Sequence, residues 1–350
     1  MHFATGTDML ECTHCGATRQ LENARPAAVA IQELDFEKAL RADLPPSELE
    51  EVRFSKCENC GAEIEFSEET HATECAFCAT PIVTDTGTHR RIKPAALLPF
   101  AKSEREARGA MTKWLGKLWF APNGLQEYAR KGRTMKGIYV PFWTYDADTK
   151  SRYKGQRGTV YYETRTVHVE VDGKMERRQE QVQKIRWSAA SGRVERFFDD
   201  ILVLGATSLP KDNTNGLAPW DLDALEPYGP EYLAGFQAEG YTVALEEGYV
   251  EARAAIDRMI ERDVRFDIGG DRQQISTIDT NVNDVTFKHI LLPVWMAAYK
   301  YRGKTYRFVV NGRTGTVQGE RPYSTLKITI AVVLGTIVAG AIGYFLAQSG

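Results

Sequence analysis

The sequence predicts an α+β fold, with a small cysteine-rich unit in front of a β-rich domain and an apolar helix behind it. Three observations lead there. Two CxxC pairs, Cys57/Cys60 and Cys75/Cys78, stand fourteen residues apart. From Gly137 onward, strand-like alternation and hairpin signals alternate with helical patterns. Ile328 to Leu346 then runs for nineteen uncharged, mostly apolar residues.

The chain opens on a third pair, Cys12 and Cys15, which has no second pair to match it. An internal comparison accounts for it. At an offset of 63, Phe3 falls on Phe66, Glu11 on Glu74, Cys12 on Cys75 and Cys15 on Cys78. Residues 1–21 are therefore expected to be the C-terminal half of a zinc ribbon whose other half would lie upstream of Met1. The start would then have been assigned too late. The alternatives are a free dithiol or a site completed by another chain. Residues 22–53 read as a linker with a short helix carrying Leu34, Phe36 and Leu40, stopped by Pro45-Pro46.

Residues 54–84 form the complete unit. Two CxxC pairs at this separation offer four thiolates to one tetrahedral ion, about 2.3 Å from each sulfur, with the spacer returning the chain as a hairpin. The expected cofactor is structural zinc; four buried or redox-active thiols are the alternative. Gly61 follows the first pair, where such a turn needs positive φ. Ile64 and Phe66 alternate with Glu63 and Glu65, as in a small strand. His71 lies in the spacer, but four sulfurs already fill the shell. Removing one thiolate is expected to unfold this unit locally while the α+β domain persists.

Residues 85–135 read as a helical segment. Ser103 and Glu106 make a capping box before an apolar stripe of Ala107, Met111, Trp114, Leu115 and Leu118, closed by Pro122-Asn123-Gly124. Residues 136–322 read as the β-rich α+β domain. Strands are expected at 138–143, at 159–171 and 174–187 around Asp172-Gly173, at 193–204, 273–287 and 290–301, with a hairpin near Asn311-Gly312. Helices are expected at 230–238 and 246–264. Ile138-Tyr139-Val140-Pro141-Phe142-Trp143 resembles Ile290-Leu291-Leu292-Pro293-Val294-Trp295 at an offset of 152, which suggests two related β units joined by helices. Each contains a proline, which lacks an amide donor and belongs at an edge or a bulge.

Residues 326–347 read as a single transmembrane helix. The apolar run is about 28 Å long as a helix, enough to cross a hydrocarbon core. Arg313, Arg321 and Lys327 precede it and only Gln348-Ser349-Gly350 follow. The bulk of the chain is therefore expected on the cytoplasmic side of the inner membrane. Gly335, Ala339 and Gly343 repeat every four residues, which points to self-association or to a lipid-facing helix tolerant of small residues.

With 44 basic and 47 acidic residues, no large basic field exists to hold nucleic acid. All six cysteines fall in CxxC pairs, the usage of a reducing compartment. No phosphate-binding loop, GxSxG elbow or HExxH pair occurs. His168 lies in an alternating strand, and Asp199-Asp200 would point apart on theirs. No enzyme is expected.

CENCGAEIEF, TECAFCATPIVTDTG, GIYVPFWTYDADT and HILLPVWMAAYKYRGKTYRFVVNGRTG, with the final apolar helix, carry a resemblance over nearly the whole chain. The chain resembles bacterial membrane-anchored zinc-ribbon proteins of the TFIIB type, often labelled primosomal protein N′ (replication factor Y), superfamily II helicase-like. The resemblance implies metal ligation by Cys57, Cys60, Cys75 and Cys78, and by Cys12 and Cys15 of an N-terminal ribbon. The chain departs from the family in lacking the first pair of that ribbon, and it has no helicase motor motif. The resemblance also implies phage-shock-type or flotillin-like membrane-stress partners. Together these give an expected role as a tail-anchored interaction protein. The alternative is nucleic-acid binding through the ribbons, against which stand Glu58, Glu63, Glu65, Glu68, Glu69 and Glu74.

Overall fold

The computed structural model describes residues 1–21, 31–66, 72–78, 80–83, 88–120, 135–171, 174–301, 304–320 and 323–348. Residues 22–30 of the expected linker, Glu68, Glu69, His71, Pro122-Asn123-Gly124, Asp172-Gly173 and Arg321 lie outside these residues. The fold is mixed α+β and rich in strand, with a four-cysteine cluster and one C-terminal apolar helix.

Three short strands open the chain: β1 (His2–Phe3), β2 (Met9–Glu11) and β3 (Thr18–Gln20). Next come β4 (Leu34–Asp35), α1 (Phe36–Leu40), β5 (Leu49–Lys56), β6 (Glu63–Phe66), β7 (Ala72–Glu74), β8 (Pro81–Val83) and β9 (Thr88–Ile92). The large sheet then begins with β10 (Ala96–Leu97), followed by α2 (Glu104–Gly116), β11 (Lys136–Val171) and β12 (Lys174–Leu204). After α3 (Lys211–Asn215) come β13 (Glu226–Pro227), β14 (Gln237–Ala238) and α4 (Leu245–Ile268). The chain ends with β15 (Arg272–Tyr301), β16 (Lys304–Asn311), β17 (Val317–Gly319) and α5 (Thr325–Gln348).

The sheet runs β12-β11-β15-β10-β13, with β14 on β11, β4 and β16 on β15, and β17 on β16. Several expected elements merge or change. Residues 138–143 and 159–171 belong to one 36-residue strand. Residues 273–287 and 290–301 likewise form one 30-residue strand. The helix expected at 230–238 is a 3-10 turn, Pro230–Leu233, followed by β14, with Gly235 at φ +90° between them. A left-handed residue cannot continue a helix. The segment 85–135 is not helical throughout, because β9 and β10 precede α2. The capping box of Ser103 and Glu106 is formed as expected.

β11 and β15 pair antiparallel through the two similar segments. Val140 faces Leu292, Ile138 faces Val294 and Phe142 faces Ile290, so positions 152 apart exchange places about the Val140–Leu292 pair. β14 runs parallel to Ile138–Tyr139, and β10 runs parallel to Ile290–Leu291, again 152 apart. Gly205 donates its N–H to Pro141 O at 2.9 Å, and Gly312 donates to Pro293 O at 2.8 Å. Each glycine lies just past the end of the flanking strand. The missing proline N–H therefore faces a strand end rather than a ladder.

Alternation along β11 and β15 splits the core. Ile138, Val140, Phe142, Ile290, Leu292 and Val294 pack one face against Ile64, Phe77 and Ile82 of the cysteine unit. On the other face, Tyr139, Leu291 and Trp295 meet Phe100, Met111 and Leu115, together with Phe3 and Leu10 from the N-terminal strands. Farther along β11, Ala252, Ile256, Ile260, Val264 and Ile268 of α4 cover Trp143, Tyr145, Ala147 and Tyr153. Among the described residues, β11 beyond Gly158, opposite Arg272, has only β12 beside it; the pairing continues to Val171 and Lys174, and the ribbon is largely exposed as far as Val169 and Arg177. Among the described residues, one helix, Thr325–Leu346, is long and apolar enough to cross a membrane, and none of that stretch is buried.

Candidate metal centre

Four cysteines converge where two pairs of strands end in tight turns. Cys57 follows β5; its N–H donates to Ala62 O and its carbonyl accepts from Gly61 N, each at 2.8 Å. Gly61 takes φ +77°, which a side chain would strain. Cys75 follows β7 and donates to Thr80 O at 2.8 Å. The Cys57 and Cys78 sulfurs are 3.5 Å apart, as are those of Cys60 and Cys75, and all four lie within 4.8 Å of one another. These separations exclude disulfides, whose sulfurs sit about 2.05 Å apart. A tetrahedron with metal–sulfur bonds of about 2.3 Å has edges of about 3.8 Å. The four thiols could therefore hold a metal ion.

The state of the thiols follows from their burial and their hydrogen bonds. Cys57 and Cys75 are buried, and Cys60 and Cys78 half-buried. Burial pushes the Cys60 thiol up to about 11 and drives Cys75 higher still. Burial also acts upward on Cys78, but contacts with Thr80, whose Oγ1 is 3.1 Å from the sulfur, and Asn59 draw it down to about 6. Buried thiolates without a counter-charge are costly, so a bound cation would draw the Cys60 and Cys75 thiols down.

The supporting strands differ from the expected single hairpin. β6 pairs with β5, and β5 pairs with β9, while β7 pairs with β8 in a separate sheet. The unit's sheet therefore reaches from Leu49 to Ile92, beyond the span 54–84. Of the acidic residues, Glu63 and Glu65 are half-buried, whereas Glu58 and Glu74 are exposed. Glu63 forms an ion pair with Arg91, whose guanidinium also donates to Tyr241 O at 2.6 Å and lies over the Phe54 ring. Burial, offset partly by Arg91, raises the Glu65 carboxyl, and burial with the Glu65 charge pushes Glu50 up to about 7.

Cys12 and Cys15 occupy a similar turn. β2 and β3 pair Met9 with Gln20 and Glu11 with Thr18; β7 and β8 pair Ala72 with Val83 and Glu74 with Pro81, each 63 residues on. Cys12 donates to Ala17 O at 2.8 Å and accepts from Gly16 N at 2.9 Å, with Gly16 at φ +70°. Hydrogen bonds from the Cys15 and His14 backbone lower the Cys12 thiol. Cys12 is half-buried and Cys15 exposed, and among the described residues no metal-sized cluster includes them.

Two features escaped sequence reasoning. Asp199 and Asp200 do not point apart: with Asp146 they bring carboxylate oxygens within 4.8 Å of one another. A bulge at Asp146 and a left-handed Asp200 (φ +50°) break the alternation. Lys288 supplies the counter-charge, 2.8 Å from Asp200, 3.0 Å from Glu33 and 3.5 Å from Asp146. Although burial opposes it, these partners hold the Lys288 ammonium above its ordinary value, and burial pushes Asp146 up to about 6. This is an internal ion network. The second feature is a cavity of about 20 Å³ between the cysteine unit and the large sheet, where Glu239 and His289 are buried. Among the described residues, neither Glu239 oxygen nor His289 Nε2 has a hydrogen-bond partner, while His289 Nδ1 lies 3.0 Å from Ile92 O. Gly335, Ala339 and Gly343 all lie on the exposed α5.

No protein-family model and no solved structure matches the chain. An uncharacterized protein of Bacillus subtilis (strain 168), YdjG, is 28% identical over 254 residues. The match spans 68% of this chain and 66% of the relative, just under two thirds of that protein's length.

Proposed function

We propose that this chain is a tail-anchored interaction protein in which a zinc-stapled ribbon is seated on a β-rich domain held at the membrane. The observation that carries the reading is the convergence of Cys57, Cys60, Cys75 and Cys78 on a unit whose own apolar residues belong to the large sheet's core. Four sulfurs at tetrahedral spacing select a soft or borderline ion, and zinc takes a closed Cys₄ shell in structural sites. Such a shell leaves no open position for substrate, so the metal serves shape rather than chemistry. α5 crosses the inner membrane with the remainder of the chain in the cytoplasm, and Gly335, Ala339 and Gly343 offer a face for a second copy.

The β1–β3 unit is the C-terminal half of a second ribbon, a reading supported by its matching registers and turns. β10-α2-β11-β12 and β14-α4-β15-β16 are two copies of one unit, a reading supported by the matched pairings around Pro141 and Pro293. The partners are membrane-associated proteins, with phage-shock-type and flotillin-like proteins the first to test. The experiment is proximity labelling from the full chain in its host, alongside zinc analysis of the detergent-extracted protein. One zinc per chain and a labelled set of membrane proteins lost in Cys57→Ser would uphold the reading. A metal-free native protein, or a labelled set unchanged by the substitution, would sink it.

A further inference from the structure

The C-terminal end of α2 meets the base of α5. Lys327 Nζ donates to Trp119 O at 3.1 Å, and Ser324 N–H donates to Phe120 O at 2.8 Å. A groove of about 520 Å³ lies between them, with Gly116, Leu118 and Trp119 on one side and Ile330, Ala331 and Leu334 on the other. Depth follows from the helix geometry. At 1.5 Å per residue, Ile330 and Leu334 stand about 3 and 9 Å beyond Ile328, where the apolar run begins, inside the near half of a hydrocarbon core about 30 Å thick. Whatever packs beside them shares that depth.

The side chains at the end of α2 suit such a position. Trp119 is 77% exposed and Phe120 41% exposed. Large aromatics left open to water mark a contact surface, and tryptophan concentrates at the headgroup level of bilayers. Lys113 and Lys117 are exposed one turn apart on the same helix, whereas its acidic residues, Glu104 and Glu106, sit in the first turn at the far end. The half of α2 nearest α5 thus carries only positive charge, the complement of an anionic leaflet.

From this juxtaposition we infer that Gly116 to Phe120 form an interfacial foot seated in an anionic phospholipid leaflet. Leu118 and Trp119 enter the acyl boundary beside α5, and Lys113 and Lys117 meet lipid phosphates. The inference rests on α5 spanning the membrane and adds a second, lipid-selective contact that fixes the large sheet's orientation above the bilayer.

The test uses the full chain in nanodiscs whose phospholipids carry brominated acyl chains, which quench nearby tryptophan. Parent and Trp119→Phe are compared in phosphatidylcholine and in phosphatidylglycerol discs. Trp119→Phe should remove at least about half of the quenchable emission, since Trp119 is the exposed tryptophan beside α5. Equal quenching in both proteins would overturn the inference. In a Lys113→Glu/Lys117→Glu variant, the stronger quenching in phosphatidylglycerol should vanish; its persistence would overturn the role of the lysines. Failure of the parent to enter either disc would overturn the spanning helix, and the foot with it. Entry without Trp119 quenching removes the foot alone.

Discussion

Glu239→Gln should flatten the dependence of stability on pH between about 4.5 and 8. Glu239 joins the cysteine unit to the large sheet. Its N–H donates to Tyr139 O at 3.0 Å, it bridges Ile64, and the next residue, Gly240, donates to Glu63 O at 3.0 Å. Its side chain is fully buried with neither oxygen hydrogen-bonded. Burial pushes its carboxyl from 4.5 to about 8, with the Ser208 side chain acting downward and the Glu63 charge upward. Below pH 4.5 the group is protonated whether the chain is folded or not, and costs nothing. Above that, the unfolded chain ionises while the folded one must retain its proton. Stability therefore falls as pH rises, by about 1.4 kcal/mol per unit, reaching a loss of about 5 kcal/mol near pH 8. Glutamine has no such slope, though it still buries an unpaired amide at a pH-independent cost. The assay is denaturant unfolding of both metal-loaded proteins from pH 5 to 8.5, read as the difference between them. His289, held down to about 4 chiefly by burial, is common to both proteins, so its contribution cancels in the difference. Parallel curves would refute the argument.

Other outcomes are expected from the same contacts. Lys288→Met leaves Glu33, Asp146 and Asp200 without their cation and should cost about 3–5 kcal/mol of unfolding free energy, read from the denaturant midpoint. Deleting Leu326 onward should move the protein from the membrane pellet to the soluble fraction, even at high salt. Cys57→Ser should abolish metal retention on elemental analysis, whereas the Cys12→Ser/Cys15→Ser double variant should keep one ion per chain.

The parts legible in the sequence are those whose signal is local. The four cysteines announce themselves by spacing, α5 by an unbroken apolar run, and α4 by a stripe that the structure extends at both ends, to Leu245–Ile268, where Gly269 turns left-handed. The continuity of β11 is not legible. The sequence predicts strands at 138–143 and 159–171, and the polar residues 144–158 join them into one strand because β12 and β15 supply hydrogen bonds on both sides. Its small polar side chains find partners across the sheet: Thr149 donates to Arg196 O at 2.8 Å, and Ser151 meets Thr280 at 2.8 Å. The Glu63–Arg91 pair and the burial of Glu239 depend on residues distant in sequence, and the Asp146 bulge depends on register. No period along the chain encodes them.

The extent of the metal's influence follows from where the cysteine unit's core lies. Left to itself, so small a unit would lose only its own structure with its ion, because metal binding is its folding free energy. Here Cys57 and Cys75 belong to the same buried cluster as Ala96, Leu98, Ile138, Val140 and Leu292, and Phe77 is fully buried within it. Re-exposing a side chain like Phe77 costs about 1.5–3 kcal/mol, and the sheet residues beneath it are uncovered at the same time. Arg91 and Glu239 add polar ties across the same seam, and an unpaired group on either side would be left in an apolar setting. Loss of the metal should therefore not stop at the cysteine unit, as the sequence suggested. It should also uncover the face of β11 and β15 around Val140, while α2 and α4, packed on the opposite face, keep their contacts. Amide exchange on the chelated protein should accelerate in β5, β6 and the Ile138–Phe142 segment together, with α4 still protected. Faster exchange confined to β5–β9 would show instead that the two units fold apart.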